Sequence, residues 1–349
     1  MVQAGGDAGR GRRPPDAERL RDRHRCRCAL CAGQGCRCPH RHRHCRPGLR
    51  WPWLRLCRPG RLPVVVRQLR SVARGPRPVM AATTQAAIRC GIGGWVFPEW
   101  RGGMFYPPGL PQREELAHAS RALRCIEING TFYRTPTAAQ CAQWAAQTPD
   151  GFRFSMKAPR YLVQRRDLSS TVEAATPFLQ AALALGDRLG PLLWQFDPRH
   201  PADAEALDAL MAQLPKQLDG VPLQHALEVR NAEAHGPALV AAARRHGVAL
   251  VIEDSDEAPL HGDVSAGFVY ARIKRSQARL NEGLPAPVQQ RWAERARRWS
   301  RGEPVADLPC LATAATEIPR EVYLLCIGAA KARNPAAAMA LQRHVDGGA

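Results

Sequence analysis

The sequence predicts an α/β protein, a single (β/α)8 TIM-type barrel preceded by a disordered segment rich in Arg, Cys and Pro. Three observations carry that expectation. Eight short β-rich runs recur after Met80, helical patterns with legible ends separate them, and about 270 residues follow the first 79. Alternating strands and helices are the signature of repeated βα units around a parallel sheet, and a barrel of this kind takes roughly 250 residues.

The eight runs are 88–94, 125–129, 152–157, 192–196, 226–230, 249–254, 268–273 and 322–328. Helix signals fall between them. Pro111 opens one helix, Thr137 with Gln140 reads as a capping box, Pro201 opens another, and Gly247 stops a helix after His246. Asn334 is expected as the N-cap of the last helix, with Pro335 at its first helical position. Trp292 and Trp299, spaced by seven before the eighth strand, read as core packing. Residues 255–266 are too short and polar for a helix, so one connection is expected to be irregular.

Composition excludes several function classes. The chain carries 50 Lys+Arg against 31 Asp+Glu, a formal net charge of +19, which suggests nucleic acid until the charge is located. Residues 1–79 hold 20 of the basic groups, all Arg, and only four acidic ones, so the remainder has 30 basic against 27 acidic groups. A body this close to neutral disfavours extensive duplex binding, and nucleic acid is the lesser alternative as a partner. Seven of the twelve Cys also lie in residues 1–79; the other five are scattered, without a disulfide framework. No apolar run approaches the roughly 18 residues of a membrane span, and no secretory signal pattern is present. A cytoplasmic protein with no membrane partner is expected.

Residues 1–79 show no helical or strand period and are expected to be disordered. Cys26, Cys28, Cys31, Cys36, Cys38, His40, His42, His44 and Cys45 invite a zinc reading, but they crowd into 20 residues without the loop that zinc modules place between ligand pairs. The chain has 46 Arg and 4 Lys, as a G+C-rich coding sequence would give. The leading expectation is that the natural start is Met80.

Side chains alternate along a strand, and TIM-barrel sites lie at the strand C-terminal ends. Glu127 and Asn129 share one face, as do Glu228 and Arg230; Lys157, Gln195, Asp254 and Arg272 end four more strands. Six strands thus aim charged or amide groups at one mouth. Burying such a set costs several kcal/mol per ion unless all are paired, so a wet pocket explains them better than a structural layer. Glu127, Glu228 and Asp254 are the candidate catalytic residues, as general acid and base or as ligands of a divalent metal such as Mg²⁺ or Mn²⁺. Asn129, Tyr133, Lys157, Gln195, Arg230, Arg272 and Trp95 are the candidate substrate-binding residues. The cations suit a small phosphate-bearing or other anionic ligand. No His falls at these strand ends, and His225 begins its strand and points to the other end, which weakens a zinc centre.

Trp95, Phe97, Trp100, Phe105 and Tyr106 follow the first strand, and Phe132 and Tyr133 the second. The prolines among them favour a packed lid, with stacking on a base or sugar as the alternative. No Gly-rich nucleotide loop, nucleophile elbow or HExxH motif is present, so cofactor redox chemistry and serine hydrolysis have no support.

Taken in order, Gly91, Gly93, Gly94 and Trp95, then Trp100, Gly102, Phe105, Tyr106 and Pro107, then Glu127-Ile128-Asn129 and Thr131-Phe132-Tyr133-Arg134 resemble the YecE-like family, domain of unknown function 72. Trp144, Pro149, Gly151-Phe152-Arg153-Phe154, Lys157, Leu193-Trp194-Gln195, Glu228-Val229-Arg230 and Tyr270-Ala271-Arg272 extend the resemblance through nearly the whole body. The resemblance implies a TIM barrel of unassigned reaction. Two departures stand out: Lys274-Arg275-Ser276 where similar proteins often carry His-Gly, and Gly328-Ala329-Ala330 where they carry Asn-rich polar groups. The expected function is acid/base or metal-assisted, hydrolase-like chemistry on an anionic substrate. A nucleic-acid-binding barrel and a non-catalytic ligand-binding barrel are the alternatives.

Overall fold

The computed structural model describes residues 85–347, so the expectations of disorder over residues 1–79, of a zinc site there and of a start at Met80 lie outside the described residues. Eight parallel strands form the sheet: β1 (Ile88–Gly93), β2 (Cys125–Ile128), β3 (Arg153–Lys157), β4 (Leu189–Phe196), β5 (His225–Val229), β6, β7 (Phe268–Ile273) and β8 (Glu321–Cys326). β6 comes in two pieces, Ala249–Leu250 and Ile252–Asp254. The first pairs with β5 and the second with β7, while β1 pairs with both β2 and β8, so the sheet closes into a barrel. Val251, between the pieces, still donates its N–H to the Leu227 carbonyl at 2.9 Å. All eight expected strands are present, with β4 starting earlier, at Leu189.

Among the described residues, seven helices of eight residues or more pack outside: α1 (Glu115–Ala122), α2 (Ala138–Ala146), α3 (Thr176–Leu183), α4 (Ala204–Gln213), α5 (Pro237–His246), α6 (Ala286–Arg301) and α7 (Asn334–Asp346). Their ends follow the expected chemistry in part. Thr137 and Gln140 form a reciprocal capping box on α2, and Gly247 closes α5 in the left-handed conformation, φ 70°. Two expectations are corrected. α4 begins at Ala204 rather than Pro201, because the Asp203 carboxylate accepts the Ala206 N–H at 2.9 Å and caps it there. Asn334 lies inside the first turn of α7 instead of capping it; its amide is spent on Gly328, accepting that N–H at 3.2 Å and donating to its carbonyl at 3.0 Å. The link from β6 to β7 has no helix, as expected. A two-residue hairpin, Gln217–Leu218 with Val221–Pro222, was not foreseen, although its turn is Asp219-Gly220, a strong hairpin signal.

Alternation along the strands separates two cores. Ile126, Phe154, Trp194, Leu227 and Leu324 face the helices and join Trp292 and Trp299 of α6 in the larger one. Cys125, Leu193, Ala226, Ala249, Phe268, Tyr270, Tyr323 and Leu325 fill the barrel interior. At the mouth end β1 presents only Gly91 and Gly93 inward; Arg89, two residues earlier on the same face, lies at the opposite end over the Tyr323 ring. A Cβ on Gly91 would lie 2.0 Å from the Cys125 carbonyl oxygen, so β1 and β2 approach this closely only because no side chain stands there.

His225 sits in the outer core at the start of β5, at the end opposite the mouth. Its Nδ1 accepts from Trp194 Nε1 at 3.1 Å, and its Nε2 donates to the Pro215 carbonyl at 2.9 Å. Burial lowers its pKa to about 4, against a weaker opposing pull from Pro215. The unfolded chain therefore binds a proton near pH 6.5 that the folded chain refuses until about pH 4. Stability should fall with pH through that window, by up to about 3 kcal/mol from this residue. Urea titrations of His225→Gln should show a flatter acid limb than the unsubstituted chain; an equal slope would assign the acid loss to carboxylates alone.

Candidate functional site

The upper layer of the barrel is a charge network centred on Arg272 of β7. Register dictates its members: Glu127 pairs with Ser155, Gln195 with Glu228, and Arg272 with Glu253, so all point inward at one level. Arg272 donates from Nη2 to Glu127 Oε1 at 3.0 Å and from Nε to Oε2 at 3.2 Å, while its Nη1 donates to Glu228 Oε2. Glu127 also accepts the Tyr270 hydroxyl at 2.8 Å, and Tyr270 lies 2.7 Å from the Ser155 hydroxyl. Glu127, Glu228 and Arg272 are 0%, 1% and 3% exposed, so every one of these bonds is made out of water.

Burial raises the Glu228 carboxyl, but Arg272, Lys274 and a 2.7 Å bond from Gln195 Nε2 outweigh it and hold it well below the usual carboxylate range. Burial likewise opposes the Arg272 charge, and the two carboxylates overcome that and keep it protonated. Tyr270, desolvated and facing Glu127, stays a neutral donor.

The remaining expected residues divide. Arg230 lies at the network's edge, with Nε 3.5 Å from Glu228 and Nη2 3.4 Å from Glu253, and it also pairs with the exposed Glu257. Asp254 is not in the mouth. It faces the helices, accepting Trp292 Nε1 at 3.0 Å and Arg275 Nε at 2.6 Å, because its strand neighbour Glu253 takes the inward position. Glu253 binds Lys274 Nζ at 2.6 Å and the Ser255 hydroxyl at 2.7 Å. Sequence reasoning passed over Glu253 by taking the strand's last residue; counting alternation from the inward Ala249 would have found it. Lys274 and Arg275, the departure noted after β7, thus supply counter-charges to Glu253 and Asp254.

Lys157 differs from the rest. It ends β3 facing inward, half-buried, with Nζ 4.1 Å from the centre of the Phe132 ring and, among the described residues, no carboxylate within salt-bridge distance. Desolvation, with Arg272 adding to it, lowers its pKa to about 8 against the weaker pull of Glu127 and Glu228. The 3-10 turn Asn129–Phe132 holds its backbone, the Thr131 hydroxyl donating to the Lys157 carbonyl at 2.6 Å.

Thr131 also lines a cavity of about 440 Å³ over the β1–β2 rim, walled by Trp95, Phe97, Asn129, Tyr133, Arg134 and Trp144. The cavity is mainly apolar. Trp95 packs edge-on against Trp144 at 5.5 Å, and Tyr133 is 74% exposed at its rim. Trp100, Phe105 and Tyr106 form the packed lid, with Trp100 donating to the Lys331 carbonyl and Tyr106 to that of Trp95. The cavity and the charge network are adjacent but separate: the Gly94 N–H bonds the Glu127 carbonyl, yet the Glu127 side chain does not line the cavity.

Among the described residues, no three His, Cys, Asp or Glu side chains gather as a metal-ligand set. Glu127, Glu228 and Glu253 are bonded to Arg272 and Lys274, an arrangement that does not fit Mg²⁺ or Mn²⁺. No helix among these residues is long and apolar enough to cross a membrane.

A closed parallel barrel whose charged strand ends meet at one mouth defines a TIM-barrel protein. The chain belongs to the family described as "Protein of unknown function DUF72", whose model matches residues 89–348. Over 140 residues it is 29% identical to the UPF0759 protein YecE of Escherichia coli, a match covering 40% of this chain and 48% of that one, so the chain spans about half the length of the curated relatives it matches. A DUF72 family protein from Thermotoga maritima superposes with a TM-score of 0.55 at 20% identity, over 73% of this chain and 97% of that one. One from Enterococcus faecalis gives 0.51 at 16%, over 75% and 98%. At these identities the likeness carries the fold alone.

Removing one partner of a buried ion network strands the other charge. Glu127→Gln and Glu228→Gln should each destabilise by roughly 3–5 kcal/mol, and Arg230→Gln, with its half-wet contacts, by about 1 kcal/mol or less. Denaturant melts of the three variants check this ordering, and equal effects in all three would contradict it. Lys157 should behave in the opposite sense. Its folded pKa lies below the unfolded value of 10.5, so the folded chain binds fewer protons between pH 8 and 10.5 and stability should rise across that window. Lys157→Met should abolish that rise and gain roughly 1–3 kcal/mol at pH 7, read from the same melts.

Proposed function

We propose that this barrel is an enzyme of acid/base, hydrolase-like type acting on a small phosphate-bearing or other anionic substrate at the mouth beside Lys157. One observation carries the reading. Where Arg230, Arg272 and Lys274 are held by carboxylates, Lys157 alone of the cations at the strand C-terminal ends makes no ion pair among the described residues. An unmatched, half-desolvated ammonium is stabilised by an incoming anion, and a charge-assisted hydrogen bond to it is worth about 1.5–3 kcal/mol.

The same side chain supports proton transfer. A pKa of about 8 leaves both protonation states populated near neutral pH, the range in which a general acid or base works best. Glu127 and Glu228 fix Arg272, and through it the field around Lys157, rather than moving the proton themselves. Asp254 has no part, since it faces Trp292. The carboxylates, bonded to Arg272 and Lys274, do not fit a divalent ion.

Thermal melts with pyrophosphate, citrate and a short oligonucleotide at two salt concentrations test the reading. Pyrophosphate or citrate should raise Tm, and Lys157→Met should weaken that binding by at least about 10-fold, as loss of a charge-assisted bond implies. Equal affinity in the variant would remove Lys157 from the site. A response to the oligonucleotide alone, falling steeply with salt, would favour the nucleic-acid alternative, for which exposed Tyr133 and Arg134 at the cavity rim are the supporting feature.

A further inference from the structure

The chain has only four lysines, and their surroundings differ. Lys274 is tied to Glu253 at 2.6 Å; Lys216 and Lys331 are exposed. Lys157 is sheltered without being ion-paired among the described residues. Its backbone is fixed on both sides, the Thr131 hydroxyl bonding its carbonyl and the following Ala158 N–H bonding the Leu193 carbonyl at 2.8 Å. The Phe132 ring covers one side of the amine, 4.1 Å from Nζ to the ring centre. A strand-end amine held on a rigid barrel, partly desolvated and uncommitted to a carboxylate, has the requirements of a nucleophile as well as those of a cation.

We infer that Lys157 is a covalent nucleophile whose amine attacks the carbonyl carbon of a small anionic aldehyde or 2-oxo acid and holds the substrate as an imine. This rests on the reading that an anionic substrate meets Lys157, and adds the carbonyl to it. The nitrogen lone pair forms the C–N bond while the carbonyl π pair moves to oxygen. A proton passes from nitrogen to that oxygen to give a carbinolamine; the nitrogen lone pair then forms the C=N bond as the C–O bond breaks, and the departing oxygen takes the second nitrogen proton and leaves as water. Nothing is oxidised or reduced. Arg272 and Arg230 disfavour the ammonium form of Lys157 but are themselves paired with carboxylates, so the charge that meets the substrate carboxylate is that of Lys157 still protonated before attack. With a pKa of about 8, roughly a tenth of Lys157 is free amine at pH 7, against about one part in 3,000 for an ordinary lysine.

Reductive trapping tests this on the full chain. Glyoxylate or pyruvate is added at pH 7 with cyanoborohydride, with and without pyrophosphate, and each lysine's adduct is followed by peptide mass spectrometry. Lys157 should be trapped at least 10-fold faster than Lys216 and Lys331, with a rate that levels off above about pH 8, and pyrophosphate should slow it. Trapping at Lys157 no faster than at the exposed lysines overturns the inference; if pyrophosphate still raises Tm, the anion-binding reading survives that failure. Fast trapping that pyrophosphate neither slows nor accompanies with a rise in Tm keeps the nucleophile and overturns the anion reading.

Discussion

Everything at the mouth of this barrel depends on Arg272 bridging Glu127 and Glu228 out of water. A guanidinium with two carboxylates carries a net negative charge that the interior would not tolerate alone, so Lys274 and Arg230 approach from the rim and Gln195 and Tyr270 satisfy the remaining lone pairs. The network spans β2, β4, β5, β6 and β7, which fixes the relative heights of those strands. A register slip in any one would remove a charged partner and turn its neighbour's side chain outward.

The network also explains why the strand-end residues divide as they do. Charged groups on β5, β6 and β7 satisfy one another, whereas β1 contributes two glycines and β3 contributes Lys157 with Ser155. Carboxylates therefore run out before cations reach β3. Lys157 is left against the Phe132 ring, and its lowered pKa follows from where the barrel's counter-charges are spent rather than from depth alone.

The fold was legible because strand and helix periods differ and because local caps such as Thr137 with Gln140 act within four residues. The mouth was legible in the same way, since alternation along β2, β5 and β7 places Glu127, Glu228 and Arg272 together. What stayed hidden depended on partners distant in sequence. Nothing near Asp254 announces Trp292 or Arg275, and nothing near Asn334 announces Ser276, whose hydroxyl also bonds its amide oxygen. Glu127 and Glu228 are paired out of water because pairing is a property of the closed ring, whereas Lys157 is half-buried with no ion pair among the described residues.

The asymmetry has a consequence for entry to the site. On the β5–β7 side the rim carries the ion pairs Arg230 with Glu257 and Arg275 with Asp256. On the β1–β3 side the rim is aromatic, its polar atoms are few, and Asn129–Phe132 is a single 3-10 turn between the cavity and Lys157. Desolvating a ligand against Trp95, Trp144 and Tyr133 costs no broken ion pair. Among the described residues, the side with the unpaired strand-end cation is thus also the side that a ligand can approach without breaking an ion pair, and there β1 adds only Gly91 and Gly93 to the upper barrel.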